Sequence, residues 1–161
     1  VAEAPALSSP PEPPRGTFQA RVDEKGRLKL PADIEKYLDS FGDRKLFITT
    51  VDLATVRLYP ISVWKLNEKF FDEASDDPSA AEDVKLLTDH FGADAAVDNQ
   101  GRVLLPSDLR KQLRMENEPV YITCYKGRVN IFSSQVYEQR LQRAMDRIAE
   151  KVRGLEQKGF R

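Results

Sequence analysis

The 161-residue chain has one cysteine, one histidine and one tryptophan, and these scarcities close several routes to function. A lone Cys124 cannot form an internal disulfide, and with His90 as the single imidazole there is no zinc-ligand spacing and no Ser-His-Asp set. No Gly-rich phosphate loop occurs. Cys124 lies in the strand-like run VYITCY and reads as a buried, inert thiol suited to a reducing cytoplasm; His90, ahead of Phe91, reads as structural. The acidic pair Asp76-Asp77 falls in a solvated linker. No apolar run approaches the ~20 residues that cross a bilayer. The expectation is a soluble, non-enzymatic protein of about one domain, with no metal, cofactor, small-molecule substrate or membrane partner.

The N-terminal stretch VAEAPALSSPPEPPRG carries five prolines before Arg15. It lacks a basic n-region and an apolar h-region, so residues 1–14 are expected to form a disordered, partly polyproline-II tail rather than a signal peptide. Formal net charge is -1, yet the charge is uneven. Arg15 to Lys29 holds five basic residues against two acidic, and Asp98 to Arg114 four against two, whereas Glu68 to Asp94 holds nine acidic residues and two lysines. A chain neutral on average can still present a basic face if its acids lie elsewhere.

What is abundant is repetition. VDEKGRLKLPADI, starting at Val22, returns 75 positions later as VDNQGRVLLPSDL, starting at Val97. Asp23, Gly26, Arg27, Leu30, Pro31 and Asp33 each have an identical partner in Asp98, Gly101, Arg102, Leu105, Pro106 and Asp108. The match continues from Leu46-Phe47-Ile48-Thr49 to Val120-Tyr121-Ile122-Thr123, and from the segment ending at Trp64 to that ending at Tyr137. Each unit spans roughly 50 residues, too few to bury an adequate core alone, so the two copies should share one.

Each unit reads β-turn-β, helix, β-turn-β, helix. Thr17 to Val22 and Arg27 to Leu30 should form a short hairpin about Asp23-Glu24-Lys25-Gly26, with Gly26 free to take φ > 0 and Asp23 accepting amide hydrogen bonds. Pro31 and Pro106 open helices whose core faces carry Ile34, Tyr37 and Leu38, and Leu109 and Leu113. Strands follow at Lys45 to Val51 and Val56 to Tyr59; Lys126-Gly127 is the counterpart hairpin turn. Between the units, Ser79 can cap a helix from about Ala80 to His90. Ser134 to Lys158 reads as one long helix in which Leu141, Met145, Ile148, Val152 and Leu155 are spaced 4, 3, 4, 3. That seam lasts about two heptads, too short for a convincing coiled coil, and is expected to pack on its own domain rather than on a second subunit.

The candidate functional feature is the turn ending in Gly-Arg, displayed twice. Its plain alternative is a tight hairpin with a solvated arginine. Both copies keep the arginine although the turn itself calls only for Asp and Gly, which favours a role for Arg27 and Arg102. The guanidinium fork suits phosphate oxygens and the O6/N7 edge of guanine. Lys25 and Gln100 precede the arginines by two residues, and Arg15, Arg21 and Lys29 surround the first copy. The expected interface is therefore Arg27, Arg102, Lys25, Gln100, Arg15, Arg21 and Lys29, on turns built by Asp23, Gly26, Asp98 and Gly101.

RGTFQARVDEKGRLKLP with DNQGRVLLP, together with Tyr59-Pro60 four residues before Trp64, resembles the MraZ family of AbrB-like swapped-hairpin DNA-binding proteins. The resemblance covers about Arg15 to Tyr137. It implies an α+β fold: a duplicated swapped-hairpin AbrB-like β-barrel of two pseudo-symmetric copies, with flanking helices and a long C-terminal helix. The divisions would be a tail at 1–14, copy 1 at 15–73, an acidic linker and helix at 74–94, copy 2 at 95–137 and a helical extension at 138–161. It further implies a ring-shaped homo-oligomer that binds double-stranded DNA. That assembly would be a cytoplasmic, nucleoid-associated transcriptional regulator, usually a repressor, of the division and cell-wall gene cluster, acting at direct repeats in its own promoter. Arg27 and Arg102 match the arginines expected to touch DNA. The rival reading is an antitoxin-like interaction module on the same fold. Three departures stand out: the proline-rich tail, the long C-terminal helix, and Lys85-Leu86-Leu87-Thr88-Asp89-His90-Phe91-Gly92-Ala93 where the family often has an arginine-bearing F-F-x-G-A stretch.

Overall fold

The computed structural model describes residues 11–74 and 76–161; most of the expected N-terminal tail, residues 1–10, lies outside them. In chain order the elements are β1 (Phe18–Arg21), β2 (Arg27–Lys29), α1 (Ala32–Asp39), β3 (Lys45–Thr49), β4 (Thr55–Pro60), α2 (Ile61–Glu73) and α3 (Pro78–Phe91). The second half continues with β5 (Ala93–Ala96), β6 (Arg102–Leu104), α4 (Ser107–Leu113), β7 (Pro119–Tyr125), β8 (Arg128–Ser133), α5 (Ser134–Met145) and α6 (Ile148–Glu156). Alternating β-rich runs with short amphipathic helices make this an α+β protein.

The strands form a six-stranded antiparallel sheet in the order β1-β7-β8-β4-β3-β5 and a two-stranded ribbon of β2 and β6. Exchanging the two copies maps this order onto its own reverse. The sheet ends at β1 and β5, so the barrel expected from the sequence is not closed.

The expected hairpin also needs correction. The turn forms, with the Asp23 amide donating to the Arg27 carbonyl at 2.9 Å and the Gly26 amide to the Asp23 carbonyl at 3.0 Å. Beyond it the strands part: Val22↔Leu28 is a single bridge, β1 pairs with β7 of the other copy, and β2 with β6. Both strands are short, and the other copy offers each a partner edge along its full length whose inner face is apolar.

That inner face explains the arrangement. Leu28 and Val103, opposite each other in the ribbon, are buried with Val22, Leu30, Ile34, Leu38, Ile48 and Leu58 of the first copy and Leu105, Leu109, Met115, Ile122, Val129 and Ile131 of the second. A smaller cluster seats Trp64 against Phe47, ring centroids 4.5 Å apart, and Tyr59, 5.0 Å apart. In the second copy Tyr137 stacks on Tyr121 at 4.1 Å, but that pair is only half-buried.

Helix termini show where local signals were misread. Asp77, not Ser79, caps α3, accepting the Ala80 amide at 3.1 Å; Pro78 takes the first helical position, which suits its missing N–H. The C-terminal segment is two helices rather than one, broken where Arg147 takes φ 52. Its first turns pack on the sheet through Tyr137, but the expected seam does not pack on the domain, because Leu141, Met145, Ile148 and Leu155 are exposed. Residues 11–14 precede β1, and Pro11, Glu12 and Pro14 line a shallow cleft with Tyr37 and Lys36 of α1.

Candidate nucleic-acid interface

The two Asp-x-x-Gly-Arg turns are superimposable in their bonding. Asp23 Oδ1 accepts the Lys25 amide at 3.0 Å and the Arg27 amide at 2.8 Å, while Oδ2 receives Arg27 Nε at 2.9 Å. Asp98 Oδ1 accepts the Gln100 amide at 2.8 Å and the Arg102 amide at 2.9 Å, while Oδ2 receives Arg102 Nε at 2.9 Å. The hydrogen bond from the Arg27 amide, then that from its side chain and from the Lys25 amide, holds the Asp23 carboxyl below its ordinary range; the Arg102 and Gln100 bonds do the same for Asp98. Gly26 (φ 83) and Gly101 (φ 74) supply the left-handed residue each turn requires.

The arginine is thus part of the turn, a role that sequence reasoning had assigned to Asp and Gly alone. Only 32% of the Arg27 side chain and 26% of the Arg102 side chain is exposed, so neither is a freely solvated fork. The ion pair fixes the guanidinium through Nε, and among the described residues the terminal nitrogens of both arginines have no hydrogen-bond partner. Pinning one edge lowers the entropy that a ligand would have to remove from the other.

The ribbon brings most of the expected residues together. With Leu28 and Val103 turned inward, Arg27 and Lys29 share the outer face of β2, and Arg102 and Leu104 that of β6. Arg27 stands opposite Leu104 and Lys29 opposite Arg102. Like charges directly opposite one another in an antiparallel pair repel, and the Asp98 carboxylate paired to Arg102 offsets that cost here. Lys25 and Gln100 lie on the adjoining turns, and Arg21 lines a shallow groove with Lys29, Leu30 and Pro31. The guanidinium of Arg21 also donates to the Asn117 carbonyl at 3.0 Å. Arg15 stands apart from the ribbon cluster, in the segment before β1, paired with Glu12 at 3.6 Å.

Each turn is also clasped by the other copy. The Gly26 carbonyl accepts the Leu105 amide at 3.0 Å and the Gly101 carbonyl the Leu30 amide at 2.9 Å. Arg110 Nη1 donates to the Lys25 carbonyl at 3.1 Å, and Lys29 Nζ donates to the Gln100 carbonyl. Arg110 was missed by sequence reasoning. The one signal for it was that the repeat sets Glu35 at the equivalent position.

Cys124 is half-buried, and burial pushes its thiol up to about 11, leaving it protonated at neutral pH. His90 packs edge-on to Phe91 at 4.7 Å. Among the described residues no group of His, Cys, Asp and Glu is placed to hold a metal ion, and no helix is long and apolar enough to cross a membrane.

The α+β fold thus sets two partly exposed, aspartate-clamped arginines on one cross-copy ribbon. Residues 93–157 match the family model described as "MraZ protein, putative antitoxin-like". The chain is similar to the transcriptional regulator MraZ of Acidobacterium capsulatum, 30% identical over 128 residues that cover 80% of this chain and 87% of that protein. It is also similar to the proteins of that name from Koribacter versatilis, 32% identical over 108 residues covering 65% and 71% of the two chains, and Marinomonas sp., 32% identical over 126 residues covering 77% and 82%. The chain belongs to the MraZ family.

Proposed function

We propose that this protein is a sequence-specific, double-stranded DNA-binding transcriptional regulator, a repressor of the division and cell-wall gene cluster that binds direct repeats in its own promoter. One observation carries the reading: Arg27, Lys29 and Arg102 share the outer face of the β2–β6 ribbon, with Lys29 opposite Arg102. Such a face gathers cationic donors on one side, Arg27 and Arg102 each holding a carboxylate through Nε and keeping their terminal nitrogens for a further anion, and duplex DNA supplies anions at groove spacing. The relatives' name, transcriptional regulator MraZ, supports it.

In this reading Arg27 and Arg102 make the groove contacts through their free guanidinium edges, where a fork meets guanine O6 and N7. Lys25, Lys29 and Arg21 hold phosphates, Gln100 takes the place of Lys25 on the second turn, and Arg15 is a peripheral phosphate contact. Binding uses no metal or cofactor and catalyses no reaction, and it takes place in the cytoplasm at the nucleoid. Pairing of β1 and β2 with strands of the other copy supports a swapped-hairpin duplication of the AbrB type, with copies at 15–73 and 95–137 flanked by the linker and C-terminal extension.

The protein acts as a ring-shaped homo-oligomer. Leu66 and Phe70 of α2 and Val84 and Leu86 of α3 are exposed, as are Leu141, Met145, Ile148 and Leu155 of the C-terminal helices. Residues 68–94 hold nine acidic residues against two lysines, while 134–161 hold seven basic against four acidic. Apolar stripes with opposite charge fit head to tail between copies, and a heterologous contact of that kind closes into a ring when its rotation allows.

Fluorescence anisotropy with a duplex from upstream of the protein's own gene and a scrambled duplex tests the function. Operator binding should be tighter by a factor on the order of 10³ or more. Equal affinity for both duplexes would remove sequence-specific regulation, and no binding to either would remove DNA as the partner.

A further inference from the structure

The two turns match in backbone but not in what the other copy places beside them. The 75-residue offset makes Glu35 of α1 and Arg110 of α4 equivalent positions. A methyl group on Gly26 would fall 1.0 Å from Arg110 Nη1, whereas one on Gly101 would fall 2.8 Å from Glu35 Oε2 and 3.2 Å from Lys29 Nζ. A guanidinium therefore lies against the first turn, and a carboxylate lies at the corresponding point of the second.

Arg110 is held there for a reason. Its Nη1 donates to the Lys25 carbonyl at 3.1 Å, while its Nε is buried with no partner among the described residues. A buried donor left unpaired costs free energy, so packing and the single carbonyl bond hold the group beside the backbone between Lys25 and Arg27. At the second turn the Gln100 carbonyl is already taken by Lys29 Nζ. There Lys29 and Arg102 face Asp98 and Glu35. The first turn presents Lys25, Arg27 and Arg110, with Asp23 bonded to Arg27 and Glu24 exposed beside Lys25.

We infer that Arg110 is a further phosphate-contacting residue, acting at the first turn from the second copy's helix, and that Glu35 weakens phosphate contact at the second, so that the two turns carry unequal shares of nucleic-acid binding. This rests on the DNA-binding reading of the ribbon face. It departs from that reading's equivalence of the two turns.

The experiment titrates wild type, Arg110→Gln, Arg110→Lys and Glu35→Gln against a fluorescein-labelled scrambled duplex across a potassium chloride series, with melting temperatures in parallel. Arg110→Gln should bind several-fold more weakly and lower the salt slope by about 0.9, the loss of one phosphate contact. Arg110→Lys should keep the wild-type slope, because it keeps the charge, and Glu35→Gln should bind more tightly than wild type. A wild-type slope in a folded Arg110→Gln protein would overturn the inference, even with a lowered melting temperature, since that pattern marks a purely structural residue. Weaker or unchanged binding by Glu35→Gln would overturn it equally, and that arm decides alone if Arg110→Gln does not fold. Failure of wild type to bind any duplex would overturn the DNA reading and this inference with it.

Discussion

Gly92 joins α3 to β5, the strand that leads into the second turn, and an alanine there should unsettle the whole approach. Its φ of -99 suits any residue, so the cost is steric alone. An added methyl would sit 2.3 Å from the Thr88 carbonyl oxygen and 2.4 Å from Phe47 Cζ. That carbonyl accepts the hydroxyl of Thr49 at 2.7 Å, between two fully buried residues, and Phe47 carries the ring stacked on Trp64. Neither the backbone oxygen nor the wedged ring can yield without breaking something. Overpacking costs about 1–3 kcal/mol and a strained buried hydrogen bond about 1–3 kcal/mol, so Gly92→Ala should lose ~2–6 kcal/mol. Urea unfolding followed by the fluorescence of Trp64, the sole tryptophan and almost fully buried, reads both the midpoint and the disturbed stack. Gly154→Ala in α6, where a methyl meets nothing within 4 Å, is the control and should be unchanged or more stable by up to ~1 kcal/mol. Coincident unfolding curves for Gly92→Ala and wild type would refute the steric argument.

Other outcomes follow from the clamped turns and the exposed arm. Asp23 and Asp98 are held below the ordinary carboxylate range by the amides and side chains of Arg27 and Arg102. Their stabilisation is therefore full above the unfolded aspartate range and is lost as pH falls through their lowered folded values. Melting temperatures recorded from pH 6 down to about pH 3 should show a smaller acid-induced drop in Asp23→Asn/Asp98→Asn than in wild type; parallel curves would deny the clamps a part in stability. Removing residues 147–161 should leave the unfolding midpoint nearly unchanged at concentrations where the protomers are dissociated, because Ile148 and Leu155 of α6 are exposed within one chain. The same truncation should lower the mass seen by light scattering, and an unchanged mass would move the subunit contact elsewhere.

The repeat made much of this molecule readable in advance. Asp23, Gly26 and Arg27 against Asp98, Gly101 and Arg102 announced two identical turns, and Ile34, Tyr37, Leu38, Leu109 and Leu113 marked the buried helix faces correctly. Strand partners were not readable, because alternation reports a half-buried strand without saying which edge completes it; Val22 and Leu28 look the same whether their strands pair together or with the other copy. The bond from Arg27 Nε to Asp23 was hidden for a related reason: Asp and Arg four residues apart meet only when the turn between them closes. The break at Arg147 carries no glycine or proline to betray it. The place of Arg110 depends on the two copies lying across one another, a relation absent from any local pattern.

In the function proposed for this protein, two clamped arginines meet duplex DNA from one ribbon. Anisotropy titration of the Arg27→Ala/Arg102→Ala double variant against operator and scrambled duplexes tests this most directly, with circular dichroism verifying the fold. The lost ion pairs lie at the surface and should leave the fold standing on its shared core, while operator binding should weaken by ~1–3 kcal/mol per arginine, the range for one bidentate base contact. Operator affinity equal to wild type in a natively folded double variant would contradict the account and leave Arg27 and Arg102 as turn-forming residues only.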